Sequence, residues 1–346
     1  MKLIDMTVTD FANEVDSNSP APGGGSVSAL AVALAAAGCV RKEKAASFDE
    51  TAVQELAAES AVTENDSAAA DTMSFGELKN IVFIFSSGAG AWQTKFTIQP
   101  DGGFWGEYQD SNMGETGQSY PKGVIYQSVF TGQLAEFRPV SEYTYSAKIL
   151  SLEYENPVGT EAVQDGVLYK YTDAYGLEDT ETVTLYVPGT PAQERSEELN
   201  RWLVCGETKL SFYAIGNDAH QYGFVGTDLA ENIREAVASA EEKMEELDQK
   251  LQAANTQLEL NNISREQYSL WDSVLNELWG ALGQLKAPQD MKALTLQERS
   301  WIKEKEAASK AAGEEFEGGS MQDMAFSQKA MELTRKRVYE LLKELD

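Results

Sequence analysis

Residues 90–108 read GAWQTKFTIQPDGGFWGEY, and their periodicity decides what the middle of the chain is. Trp92, Thr94, Phe96 and Ile98 alternate with Gln93, Lys95 and Thr97, so one face of an extended segment is predominantly apolar. Asp101-Gly102-Gly103 is a turn signal, and Phe104, Gly106 and Tyr108 resume the same period on a second strand. Working outward, Val124–Phe130, Tyr143–Tyr154, Val167–Tyr171, Thr180–Val187 and Lys209–Ile215 are further strand candidates, with turn signals between most of them. Some seven or eight antiparallel strands over about 140 residues suggest a closed up-and-down barrel, because closure removes exposed edges. A barrel of that size holds one apolar ligand or is filled by its own side chains. Trp92, Phe104, Tyr108, Tyr126 and Tyr145 are the rings available to line either interior.

From Thr227 onward the period changes from two to that of helices. Leu229, Ile233, Val237, Ala240, Met244, Leu247, Leu251, Ala254 and Leu258 step by threes and fours, a seam that must bury against a partner helix. Ser264 with Gln267 reads as a capping box for a second helix, whose apolar face is Tyr268, Trp271, Leu275, Leu278, Leu282 and Leu285. Pro288 suits the first turn of a third helix carrying Leu294, Trp301 and Ile302. Gly318-Gly319-Ser320 ends it, and a fourth runs through Leu333, Val338, Leu341 and Leu345. The expected fold class is therefore α+β and multidomain, an antiparallel barrel over 79–225 followed by a small antiparallel helical bundle over 227–346.

Charge restricts the partners. The 346 residues carry 28 Lys and Arg against 56 Asp and Glu, a formal charge of -28, which repels nucleic acid and anionic lipid and favours a basic partner. Two cysteines, Cys39 and Cys205, and one histidine, His220, cannot assemble a Cys/His zinc site or a disulfide framework, and no metal or other cofactor is expected. His220 lies in NDAHQYG, which reads as a polar turn. Asp110, Glu115, Asp165, Asp173, Glu178, Asp179 and Glu181 mostly fall in turn-like segments, where carboxylates bond the local backbone more often than they pair as a glycosidase requires.

The amino-terminal part supports two readings. Val27 to Gly38, broken only by Ser28, is the longest apolar run; it is too short to span a membrane but has the length of a signal-peptide core. It ends in Ala36-Ala37-Gly38-Cys39, so lipidation at Cys39 would anchor the chain to a membrane on the outer side. Asp5, Asp10, Glu14 and Asp16 precede it where a signal carries basic residues; without export the chain would be cytoplasmic. Residues 1–39 thus form a signal-like segment, and 40–78, rich in Ala, Ser, Thr, Asp and Glu, read as an acidic linker. The other reading takes Ser19-Pro20-Ala21-Pro22-Gly23-Gly24-Gly25-Ser26 as a loop whose glycines let backbone amides approach a ligand at the start of a helix.

Three resemblances attach to these segments. Met1 to Leu34, through Lys2-Leu3-Ile4-Asp5, Thr7-Val8-Thr9-Asp10-Phe11 and the glycine loop, resembles the start of the cyclodeaminase/methenyltetrahydrofolate cyclohydrolase family. That resemblance implies a folate-binding loop at Pro22, Gly23, Gly24, Gly25 and Ser26, and an enzyme if the rest of the helical fold were present. Residues 86–117, opening on Gly90-Ala91-Trp92, together with 173–191 resemble a lipocalin-like domain of secreted lipoproteins of anaerobic Firmicutes.

The helical segment 257–342 resembles the LprI-type lysozyme-inhibitor family. Its carriers are Trp271, Asp272, Leu275 and Asn276, then Gln297, Arg299 and Trp301 with Glu298 inserted between the first two, then Gly318, Gly319 and Arg335. Ser309 and Met331 or its neighbours stand where family members often have cysteines, so no disulfide staples the bundle. From the residues alone, Asp272, Asn276, Gln297, Arg299, Trp301 and Arg335 read as a buried polar network joining three helices. The resemblance implies instead an exposed face that occludes a lysozyme cleft. The combined expectation is an exported surface lipoprotein that binds rather than catalyses, with a basic protein such as lysozyme as partner. An apolar-ligand carrier and a folate-enzyme fusion are the alternatives.

Overall fold

The computed structural model describes residues 73–88, 91–203 and 208–346. Cys39, the loop 22–26, residues 40–72 of the expected linker and Gly90 lie outside the described residues; the last part of that linker, 73–78, is instead structured, with Met73 and Leu78 buried against the barrel. A capped 3-10 turn, Phe75–Leu78, leads into β1 (Ile81–Ser86), β2 (Trp92–Ile98), β3 (Gly103–Asn112) and β4 (Val124–Leu134). The strands continue with β5 (Arg138–Pro139), β6 (Thr144–Tyr154), β7 (Glu161–Gln164), β8 (Val167–Tyr171) and β9 (Thr182–Tyr186). A short helix α1 (Glu197–Trp202) precedes β10 (Ala214–Asn217) and β11 (Gly223–Asp228).

Eight of these strands close on themselves in the order β1-β2-β3-β4-β6-β9-β10-β11, each antiparallel to its neighbours. The closing seam is Phe130–Leu134 of β4 against Ile149–Tyr154 of β6. The amino-terminal half of β4 instead pairs in parallel with β8, which carries β7 as a hairpin outside the ring. Gly132 sits on the seam because a side chain has no room there: a Cβ would lie 2.2 Å from Phe104 Cζ and 2.4 Å from the Ser151 carbonyl oxygen. Gly132→Ala is expected to cost about 1–3 kcal/mol through forced repacking. An unchanged urea midpoint would show that the strands have slack at the seam.

The barrel interior is filled by Phe83, Phe85, Phe96, Ile98, Phe104, Phe130, Leu185, Ile215 and Phe224. One end is covered by the 3-10 turn, whose Phe75 ring lies 4.9 Å from Phe137. The first strand points Ile81, Phe83 and Phe85 inward, while Val82 packs with the helical core and Ile84 lies against it. That two-sided burial explains why Ile81–Phe85 is apolar at every position and shows no alternation.

Four long helices follow: α2 (Leu229–Ala253), α3 (Gln257–Leu285), α4 (Pro288–Glu314) and α5 (Gln322–Leu342). The strand β11 runs straight into α2, capped by Asp228, whose carboxylate accepts from the Glu231 amide at 2.9 Å. The residues after α5 return to the junction of barrel and bundle, where Asn80 Nδ2 donates to the Leu345 carbonyl at 2.8 Å and Arg234 of α2 pairs with Asp346 at 2.8 Å. The first six positions of the α2 seam are buried as their spacing requires. Two details differ from the sequence reading. The second helix starts at Thr256, where a Thr256/Glu259 capping box forms, so Ser264 and Gln267 are interior and buried. Leu258 consequently lies on α3 rather than on the seam of α2 and is 69% exposed.

Candidate functional site

The barrel rings do not share one environment. Phe104 is in the packed interior and Tyr145 lies against it. Trp92 belongs to an aromatic cluster at the end of the barrel away from the 3-10 turn: the Phe85 ring is 4.9 Å from Trp92, 4.8 Å from Trp202 and 5.1 Å from Tyr222, with Tyr175 4.8 Å from Trp92. Tyr108 joins this end at 5.9 Å from Tyr175, and burial beside Asp110 pushes its hydroxyl up to about 12. Tyr126 lies under the Lys170 ammonium, 5.4 Å from the ring centroid, and Lys170 is also paired with Glu115 at 2.9 Å. Asp110 lies on β3 rather than in a turn and accepts from the Ser111 amide, Glu178 accepts from the Gly176 amide, and Asp179 is 3.8 Å from His220 across the fold. Among the described residues no group of three or more His, Cys, Asp or Glu is arranged to hold a metal.

The denser chemistry is in the bundle. Trp271 on α3 is fully buried, and the Arg335 guanidinium of α5 lies over its ring at 5.4 Å. Arg335 also forks onto Glu241 of α2 at 2.9 and 2.6 Å, and Tyr339 Oη donates to the same carboxylate at 2.6 Å. Met331, Glu332, Arg335, Lys336 and Tyr339 line an open groove of about 400 Å³ along α5.

Between α3, α4 and α5 lies a buried set of charges. Lys305 Nζ donates to Tyr268 Oη at 3.0 Å, is 3.8 Å from Asp272 Oδ1, and lies over the rings of Tyr268 and Trp301. Asn276 Nδ2 donates to the Asp272 carbonyl at 2.9 Å, one turn back on the same helix. Glu298 accepts from Arg337 Nε at 2.8 Å, and Arg337 stacks against Trp301 and reaches Glu340. Glu298 is 3% exposed and Lys305 4%. Burial raises the carboxyls of both Asp272 and Glu298, against the lowering effect of Lys305 and Arg337, and it lowers the Lys305 ammonium. Each charge has a partner from a neighbouring helix, so the cluster ties the three helices together.

The sequence-level network is therefore present with different members. Asp272, Asn276 and Trp301 take part, whereas Gln297 is exposed, Arg299 is half-buried, and Arg335 acts at the separate Glu241 fork. Glu298 and Lys305 were not singled out, although Leu294, Glu298, Ile302, Lys305 and Ser309 form one inward stripe at spacings of four, four, three and four. An inserted residue turns an α-helix by about 100°, which is why Glu298 faces inward and Gln297 outward. Leu275 is core, Ser309 is buried with its hydroxyl on the Lys305 carbonyl, and Gly318 and Gly319 form the exposed α4–α5 turn.

Residues 235–341 match the family model described as lysozyme inhibitor LprI, which takes in most of α2 and all of α3 and α4, and runs to the penultimate residue of α5. That begins earlier than the segment 257–342 read from the motifs. Residues 7–80 match the model of formiminotransferase-cyclodeaminase, well beyond Leu34 and through the stretch read as a linker. No curated protein and no solved structure matches the chain.

Proposed function

We propose that this chain is an exported binding protein whose four-helix module inhibits lysozyme. The observation that carries the reading is the family match over 235–341, which coincides with the bundle rather than with a fragment of it. The formal charge of -28 supports it, since a basic enzyme is attracted over several ångströms and the encounter rate rises. Addition of the full chain to hen lysozyme acting on a peptidoglycan suspension is expected to suppress lysis, and to do so less well as salt is raised. Undiminished lysis at micromolar excess would overturn the reading.

Export and lipidation at Cys39 belong to the same proposal and rest on the run Val27 to Cys39. Mass analysis of membrane-extracted protein is expected to find a diacylglyceryl Cys39 as the first residue, and an intact Met1 would count against it. The barrel, with its consecutive meander, is read as lipocalin-like and as the spacer between anchor and bundle.

A second reading attaches to the match of residues 7–80, under which the amino-terminal part derives from a folate cyclodeaminase or cyclohydrolase. Turnover of methenyl-tetrahydrofolate above its spontaneous hydrolysis would favour that reading.

A further inference from the structure

The end of the bundle away from the barrel is built from two turns. The α2–α3 turn and the α4–α5 turn are brought together there by Asn261 Nδ2, which donates to the Ser320 carbonyl at 3.0 Å, and by Gln257, which reaches Met324 Sδ at 3.7 Å. With helices of 21 to 29 residues, this tip stands roughly 35 Å from the helix ends that join the barrel. Gly318 has a φ of 72°, which lets the chain reverse within a few residues and pushes its flanks outward.

Large apolar side chains at this tip face solvent. Leu258 is 69% exposed, Phe326 39%, and Phe316 and Met321 38% each. Exposed apolar residues gathered in one place mark a contact surface more often than isolated ones do. The charges on the α4–α5 side of the tip are of one sign. Between Lys310 and Lys329 the chain carries Glu314, Glu315, Glu317 and Asp323 and no Lys or Arg. Glu314 is held by Lys310 and Asp323 by Arg265, which leaves Glu315 and Glu317, on either side of Phe316, without an ion pair among the described residues.

Apolar anchors within an unneutralised acidic rim select their occupant. A second copy of this chain would bring acid against acid, and an anionic membrane would do the same. We infer that the tip is the docking surface of the bundle and that its partner is a basic protein, with Phe316 as the side chain inserted into that partner. Buried aromatic anchors carry a disproportionate share of binding energy, while the flanking carboxylates speed encounter and fix orientation. This inference rests on the inhibitor reading and assigns it a surface; the groove along α5 and the buried charge cluster are not part of that surface.

The test is titration of the full chain with hen lysozyme by calorimetry, comparing three variants. Phe316→Ser with Met321→Ser, and separately Glu315→Lys with Glu317→Lys, are expected to weaken binding at least about tenfold. Glu235→Lys with Glu242→Lys makes the same charge change on the exposed side of α2 and is expected to stay within about threefold. All of these side chains are at least a third exposed or lie on the exposed face, so thermal unfolding followed by circular dichroism should be unchanged. Tip variants that bind like the unmodified chain overturn the docking surface while the inhibitor reading stands. Equal losses from the α2 control also overturn it, because attraction would then be general. An unmodified chain that does not bind lysozyme removes both.

Discussion

Arg337→Met is expected to lower the stability of the chain by about 3–5 kcal/mol, because it leaves the Glu298 carboxylate buried without its partner. Glu298 is 3% exposed, its Oε2 accepts from Arg337 at 2.8 Å, and its Oε1 has no hydrogen-bond partner among the described residues. The pair therefore balances a desolvation cost that neither member can bear alone. Replacing both, Glu298→Met with Arg337→Met, should recover most of the loss, since two apolar side chains of similar volume incur no such cost.

The loss should also depend on pH in a defined direction. Burial already holds the Glu298 carboxyl above its ordinary value of 4.5, and without Arg337 it rises further, with only Lys305 nearby to lower it and Glu340 to raise it. A carboxyl whose pKa is raised on folding contributes stability that is complete below the unfolded value and is lost as pH climbs through the folded one. The gap between the unmodified chain and Arg337→Met should thus be small near about pH 4 and widen toward about pH 7. Urea midpoints at the two pH values measure it. A gap of constant size, or a double variant as unstable as the single one, would mean that the pair is not what limits this packing.

Trp271→Ala should cost a similar amount, about 3–5 kcal/mol, for a different reason. The indole is fully buried at the centre of the helical core, and its Nε1 has no hydrogen-bond partner among the described residues. Its contribution is then packing of the ring, beneath Arg335 at 5.4 Å and beside Tyr339 at 6.1 Å, rather than donation by the nitrogen. Trp271→Phe keeps a ring in place and should cost only roughly 1–2 kcal/mol. If Phe proved as damaging as Ala in urea unfolding, the nitrogen rather than the ring would be the important group.

Much of the architecture was legible because its elements bury mainly one face. The β2 strand alternates, with Thr94, Phe96 and Ile98 buried, and α2 steps by threes and fours, with Leu229 through Leu247 buried. The strands that escaped notice lack such a contrast. The first strand, Ile81–Ser86, is buried on both faces; β5 is two residues long; β7 is a hairpin arm outside the ring; and β11 flows into α2 without a turn, so that its last residues, Thr227 and Asp228, read with the helices. The segment Lys209–Ile215 was extended too early: Lys209 makes a single bridge to Pro191, and the strand proper is Ala214–Asn217.

For the bundle chemistry the same distinction holds. The motif residues Trp271, Asp272, Asn276 and Trp301 could be read from the chain, because residue types and helical spacing are local properties. Which charge meets which is not local, as Glu298 and Arg337 are 39 residues apart and Glu241 and Arg335 are 94 apart. By itself the sequence determined the strand and helix periods, the net charge, and the family to which the helices are similar. Only the tertiary structure decided that β4 closes on β6, that Glu298 rather than Gln297 faces inward, and that Leu258, Phe316, Met321 and Phe326 gather at one exposed tip. The physical reason is that periodicity reports which side of an element avoids water, whereas closure, ion pairing and shared surfaces depend on what another element brings to that side.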